Sequence, residues 1–301
     1  MSELKVIADY QDLCGEGPIW DEETDRLYWT DASGKRFYCY DWPGQRHWVM
    51  QQGTQINSVS VNIAGGYVIT NPDGFWFWDG EEHFRLIANQ AEGFPCKLND
   101  SIADPEGRIF SGSVFYDPNK PSAEAKLFRL DNDGTVKVVD EGHMLSNGLG
   151  FSPDLTMMYY TDSAAKTIYA YDYSRTTGDI RNRRVFVKCV ETDGLPDGMH
   201  VDAEGFVWSA NWYGGCVIRY DPDGREERRI ATPAKQTSSL TFGGPELTDM
   251  FITSAGFSEP MAPLMPPGYD YVNGYFGGAL YHINLGIQGR LEFKANIRPP
   301  R

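Results

Sequence analysis

A chain of 301 residues with 42 acidic and 27 basic side chains carries a formal charge of −15, and its Lys and Arg are scattered, which excludes a phosphate-reading nucleic-acid surface. Hydrophobic residues make up 41% of the chain, enough for a large core, yet no run reaches the roughly 18 apolar residues that span a bilayer, and the opening MSELKVIADY has no apolar signal core. A cytoplasmic protein with neither nucleic-acid nor membrane partners is expected, and Cys14, Cys39, Cys96, Cys189 and Cys216, an odd set without a CxxC pair, fit reduced thiols.

In chain order, residues 5–8 (KVIA) read first as an isolated strand. Residues 20–41, 61–79 and 103–131 then follow one plan: an alternating apolar run, an Asp/Pro/Gly turn, an aromatic-rich strand, small polar residues and a third strand ending in Asp. Residues 148–172 and 198–221 show the plan most clearly, and residues 242–284 carry it with a long insertion. The anchors Trp20, Val61, Ala103, Phe151, Val201 and Phe242 lie 41, 42, 48, 50 and 41 residues apart, near the period of about 40 to 45 residues of four-stranded propeller blades. No sustained period of 3.6 residues supports a helical solenoid, the strands are too dense for an α/β barrel, and a sandwich needs no fixed spacing. The prediction is one all-β domain over residues 1–301, a six-bladed β-propeller with four antiparallel strands per blade and a central-channel metal site. Residues 5–8 are expected to complete the blade that begins at Ser238, closing the ring and removing a free sheet edge. The Pro-rich residues 257–278 read as a packed surface loop, with a lid over the channel as the alternative.

Four residues before each anchor stand Glu16, Asn57, Asn99, Asn147, Asp197 and Ser238, one oxygen-bearing side chain per repeat. Equivalent positions in a toroid converge on its axis, so these six describe a polar well suited to a hard cation.

The motifs at residues 15–20 (GEGPIW), 97–100 (KLND) with 104–108 (DPEGR), 146–154 (SNGLGFSPD) and 195–205 (LPDGMHVDAEG) resemble, in this order and over essentially the full length, the senescence-marker-protein/gluconolactonase (regucalcin-like) family. The resemblance implies a six-bladed propeller, one divalent metal in the central channel and, most often, hydrolysis of a sugar-acid lactone. It carries the metal ligands onto Glu16, Asn147 and Asp197, the general base onto Asp197, and a substrate-binding amide that also approaches the metal onto Asn99. Several family members have an arginine where this chain has Lys97, which keeps the charge but loses the planar fork.

Residue chemistry is consistent with this assignment. An oxygen-only donor set suits Ca²⁺, Mg²⁺ or Mn²⁺ better than a structural zinc site, with Zn²⁺ kept among the candidate divalent ions. Three protein ligands leave positions for water and substrate, and the ion acts as a Lewis acid on the lactone carbonyl. Strand alternation places Lys97 beside Asn99 as a substrate contact. Asn57 is either a substrate contact or a strand-end amide satisfying backbone groups, and Tyr116 is a candidate at the channel mouth. Alternation turns His200 away from Asp197 and Asp100 away from the axis, while His143 reads as a residue of the channel mouth or of a solvated loop. The expected reaction is aldonolactone to aldonic acid, of gluconolactonase or xylonolactonase type, with a small sugar lactone as the partner. A calcium-binding regulator without turnover, or a lactonase or phosphotriesterase for a non-sugar ester, are the alternatives.

Overall fold

The computed structural model describes residues 3–114, 123–256, 264–270 and 277–300. Within them the repeats form six four-stranded antiparallel sheets, the blades of a six-bladed β-propeller. The innermost strands, Gly15–Asp21, Ser58–Val61, Leu98–Ala103, Ser146–Phe151, Leu195–Val201 and Thr237–Gly243, contact one another around the ring. Every sequence anchor falls at or one residue before the end of its inner strand. Inner strands are buried almost throughout, whereas outer strands such as Arg46–Gln52 and Glu226–Ala231 are mostly exposed and rich in charged or amide side chains. Packing on both faces explains the near-continuous apolar and small-residue character of the first kind, and solvent on one side the polarity of the second.

The apolar core is divided among the seams between blades. Six clusters occupy them, one per pair of neighbours. Phe37 of the first blade meets Trp78 of the second edge-on at 5.3 Å, and Trp20 stacks on Phe251 of the last at 6.2 Å. The aromatics are the fill that twisted, face-to-face sheets require.

Two segments close the toroid. Lys5–Asp9 pairs antiparallel with Ala279–Asn284 as the fourth strand of the last blade, as the sequence predicts. Residues 285–300 then run as a strap across the end of the channel where the inner strands finish. Along the strap, Gln288 O accepts from Ala203 N, Arg290 O lies 2.9 Å from His200 Nε2, Arg290 Nη1 donates to Phe151 O, and Lys294 pairs with Asp21. Beyond these, Ala295 N donates to Val61 O and Asn296 N to Gly107 O. With Gly289 N on Leu247 O, the strap is fastened to all six blades.

One irregularity recurs. In five inner strands the pairing slips at or directly after the oxygen-bearing position, between Glu16 and Ile19, Leu98 and Ser101, Ser146 and Leu149, Pro196 and Met199, and Thr237 and Ser239. Such bulges let consecutive side chains face one way, which strict alternation forbids. No helix among the described residues is long and apolar enough to cross a membrane.

Candidate functional site

Glu16, Asn99, Asn147 and Asp197, each at the start of the inner strand of a different blade, line one axial pocket of about 140 Å³ together with Ser163. Cys14, Leu145, Leu195 and Trp212 form its less polar wall. Glu16, Asn147 and Asp197 are 9%, 8% and 4% exposed, so whatever satisfies their oxygens must lie in the pocket or in the protein.

The protein satisfies only the amides. Asn99 Nδ2 donates to Asn147 Oδ1 at 2.6 Å, and Asn147 Nδ2 donates to Ser163 Oγ at 2.8 Å. These bonds leave the Asn99 amide oxygen for the pocket, while Asn147 Oδ1, which already accepts from Asn99, keeps its second lone pair for it. Glu16 Oε2 is buried with no hydrogen-bond partner, and the Asp197 carboxylate has no side-chain partner among the described residues. Burial raises the proton affinity of both carboxyls, reinforced at Glu16 by Asp197 and Asp100 and at Asp197 by Asp100. Two buried carboxylates and two amide oxygens without a cation form an incomplete electrostatic arrangement, and the donor set fits a hard divalent ion. Among the described residues no group of three or more His, Cys, Asp or Glu is placed to hold a metal, so the amides are indispensable to such a site.

A belt of hydrogen bonds holds the register. Asn57 Nδ2 donates to Leu98 O and Asn99 Nδ2 to Ser146 O, both at 2.8 Å, and Ser238 Oγ donates to Gly15 O. In each case the acceptor is the carbonyl just before the equivalent residue of the next blade. Asn147 reaches Pro196 O through Ser163, and Thr30 Oγ1 serves Ile56 O at 2.6 Å where Glu16 has no hydrogen to give. Two of the six sequence-predicted oxygens therefore face sideways rather than into the pocket. Asn57, whose Oδ1 accepts from Gln55 Nε2, satisfies a backbone carbonyl of the next blade, as one of its two sequence readings has it, and Ser238 braces the last blade against the first.

Lys97 is exposed just before Leu98–Ala103, two residues ahead of Asn99. Cys14, Leu145 and Leu195 hold that place before Glu16, Asn147 and Asp197, and all three line the pocket. Tyr116 lies outside the described residues, as do 257–263 and 271–276 of the Pro-rich segment.

Two expectations change. Asp100 does not turn away from the axis: with Gly17, Ser58, Gly148, Leu149, Met199 and Ser239 it lines a second chamber to which all six blades contribute, because the bulge after Leu98 lets Asn99 and Asp100 both face inward. Burial and the nearby Glu292 push its carboxyl up to about 7. His143 is fully buried rather than at a mouth or in solvent, with Nε2 3.2 Å from Asp140 and its ring against Tyr160. Cys14 lines the pocket, where burial and the carboxylates keep its thiol protonated and unreactive. His200 does face away from Asp197, toward the strap.

Fold and pocket together define a six-bladed propeller with a polar pocket on the ring axis. The family model described as the SMP-30/gluconolactonase/LRE-like region matches residues 14–256, and the chain belongs to this family. Pentonolactonase XacC of Haloferax volcanii is 37% identical over 300 residues, covering 97% of this chain and 98% of that protein. Regucalcin of Danio rerio is 35% identical over 262 residues, covering 85% and 88%. A luciferin-regenerating enzyme of known structure superposes with a TM-score of 0.87 at 27% identity, covering 99% of this chain and 100% of that one.

Proposed function

We propose that the protein hydrolyses a sugar-acid lactone to its open-chain aldonic acid, with one divalent cation held by Glu16, Asn147 and Asp197. The observation that carries this reading is the convergence of two carboxylates and two amide oxygens from four blades on one small pocket, with a buried Glu16 oxygen left unpaired. Lactone hydrolysis agrees with family membership and with the pentonolactonase named among the relatives, which favours a five-carbon aldonolactone as the first substrate to try. When bound, a divalent ion polarises the ester carbonyl and makes water more acidic.

The chain's own groups do the rest. Asp197, with no side-chain partner among the described residues, accepts a proton from the water that attacks the acyl carbon and passes it to the ring oxygen as the C–O bond breaks. Asn99, whose amide hydrogens stay on Ser146 and Asn147, accepts from a lactone hydroxyl with its remaining amide oxygen. Lys97 meets substrate hydroxyls at the mouth and attracts the new carboxylate. The buried pocket limits bulk water around the reacting ester.

Acid release from pentono- and hexonolactones, followed with a pH indicator in weak buffer before and after chelation, tests the reading. Turnover should vanish with the metal and return with it, and Asp197→Asn should lose at least about 10²-fold in kcat. Calcium binding without turnover of any lactone would point instead to a regulator, and faster cleavage of phosphotriesters to a non-sugar esterase.

A further inference from the structure

Beyond the four pocket residues, all six blades line a second chamber that lactone hydrolysis does not use. The residues that directly follow the oxygen-bearing ones form a ring, Gly17, Ser58, Asp100, Gly148, Gly198 and Ser239, of which all but Gly198 line the chamber. Glycine is obligatory at several of these places. A Cβ on Gly148 would lie 2.4 Å from Met199 N, and one on Gly198 would lie 2.1 Å from Ser239 Oγ. Asp100 is the single charged member of the ring. Its floor is the strap, which places Glu292 in the same chamber.

Asp100 is 8% exposed, lines this space, and its carboxylate has neither a hydrogen bond nor an ion pair among the described residues. Glu292, 21% exposed, has only His200 Nδ1 at 3.6 Å among the described residues, while Arg290, two residues before it, donates to Phe151 O. A carboxylate withdrawn from water without a partner is strongly disfavoured. With Glu16 and Asp197 above, four carboxylates share one channel, and a single divalent ion at the upper site neutralises two of them. The chamber encloses about 30 Å³, more than the roughly 10–15 Å³ that one water-sized particle needs. The hydroxyls of Ser58 and Ser101, 3.0 Å apart, and that of Ser239 supply further oxygens.

We propose that this chamber is a second cation site, in which a calcium-type ion is bound by the carboxylates of Asp100 and Glu292 with serine hydroxyls and water completing its oxygen shell. The ion ties the strap to the third blade, so its role is to lock the floor of the channel. The inference does not depend on lactone hydrolysis.

Calcium counting tests it. The full chain, stripped with chelator, is dialysed to equilibrium against calcium, and bound metal is measured per chain for the wild type, Asp100→Asn, Glu292→Gln, Glu16→Gln and the Asp100→Asn/Glu16→Gln pair. The expected counts are about two for the wild type, about one for each single variant and about zero for the pair. Calcium should also raise the melting temperature of Glu292→Gln less than that of the wild type. A wild-type count of about one that Asp100→Asn and Glu292→Gln leave unchanged overturns the second site. A count that falls in Asp100→Asn and Glu292→Gln but not in Glu16→Gln overturns the upper metal and leaves this one standing. Melting curves identify any variant that fails to fold, and Asp100 and Glu292, on separate segments, provide independent variants.

Discussion

At the scale of single residues, the pocket depends on groups whose surroundings allow them one state. Gly148 is an example: the approach of Met199 N and Asp197 O leaves no room for a methyl group. Gly148→Ala should cost about 1–3 kcal/mol of stability, and weaken metal binding because the backbone that must give way carries Asp197. Calorimetry and a metal titration read the two effects separately. Lys97→Ala should raise KM for a lactone several-fold with kcat little changed, since a charge at the mouth binds substrate without touching the acyl carbon. Away from the channel, Asp140 sets a pH window. Burial works against its charge, but bonds from His143 and Tyr171 outweigh burial and bring its carboxyl down to about 2 from 3.8. A depressed folded-state value stabilises the fold above the unfolded value and loses that contribution as pH falls through the folded one. Asp140→Asn should therefore be less stable by about 2 kcal/mol at pH 7, with the difference closing between about pH 4 and pH 2 in melting experiments.

At the scale of elements, the repeat made the inner strands legible, because an oxygen donor four residues before each anchor is a pattern that a sequence displays directly. Glu16, Asn99, Asn147 and Asp197 meet as that pattern requires. The same register, read two residues earlier, would have found Cys14, Leu145 and Leu195, and read at or just past the end of the second strand it would have found Ala32, Ser163 and Trp212, all of which line the pocket. Strict alternation was the assumption that failed: a bulge at the register position turns Asp100 inward, and nothing in the local composition marks a bulge of this kind. Asn57 and Ser238 match the pattern by type, but their hydrogens are drawn to the next blade's carbonyls, a long-range contact that no local motif announces. The strap was illegible for a related reason. Residues 285–300 carry no repeat, so Glu292 could be placed only after the ring that receives it was known.

At the scale of the whole molecule, six seams and two closures make one ring, and the stability of the site is the stability of that ring. Removing residues 1–9 would leave Ala279–Asn284 as an open edge and strip Ala8 from the seam beside Trp20. The loss should be roughly 4 kcal/mol, at about 1 kcal/mol for each of the four paired positions, with aggregation through the bared strand. Denaturant titration and light scattering measure both. Central to the account is an ion on the axis, held by groups far apart in sequence. Anomalous diffraction from crystals soaked in Mn²⁺ tests this most directly. A peak bounded by the Glu16 and Asp197 carboxylates and the Asn147 amide oxygen, absent from Asp197→Asn crystals, is the expected result; density confined to other parts of the molecule, with that place empty, would contradict it.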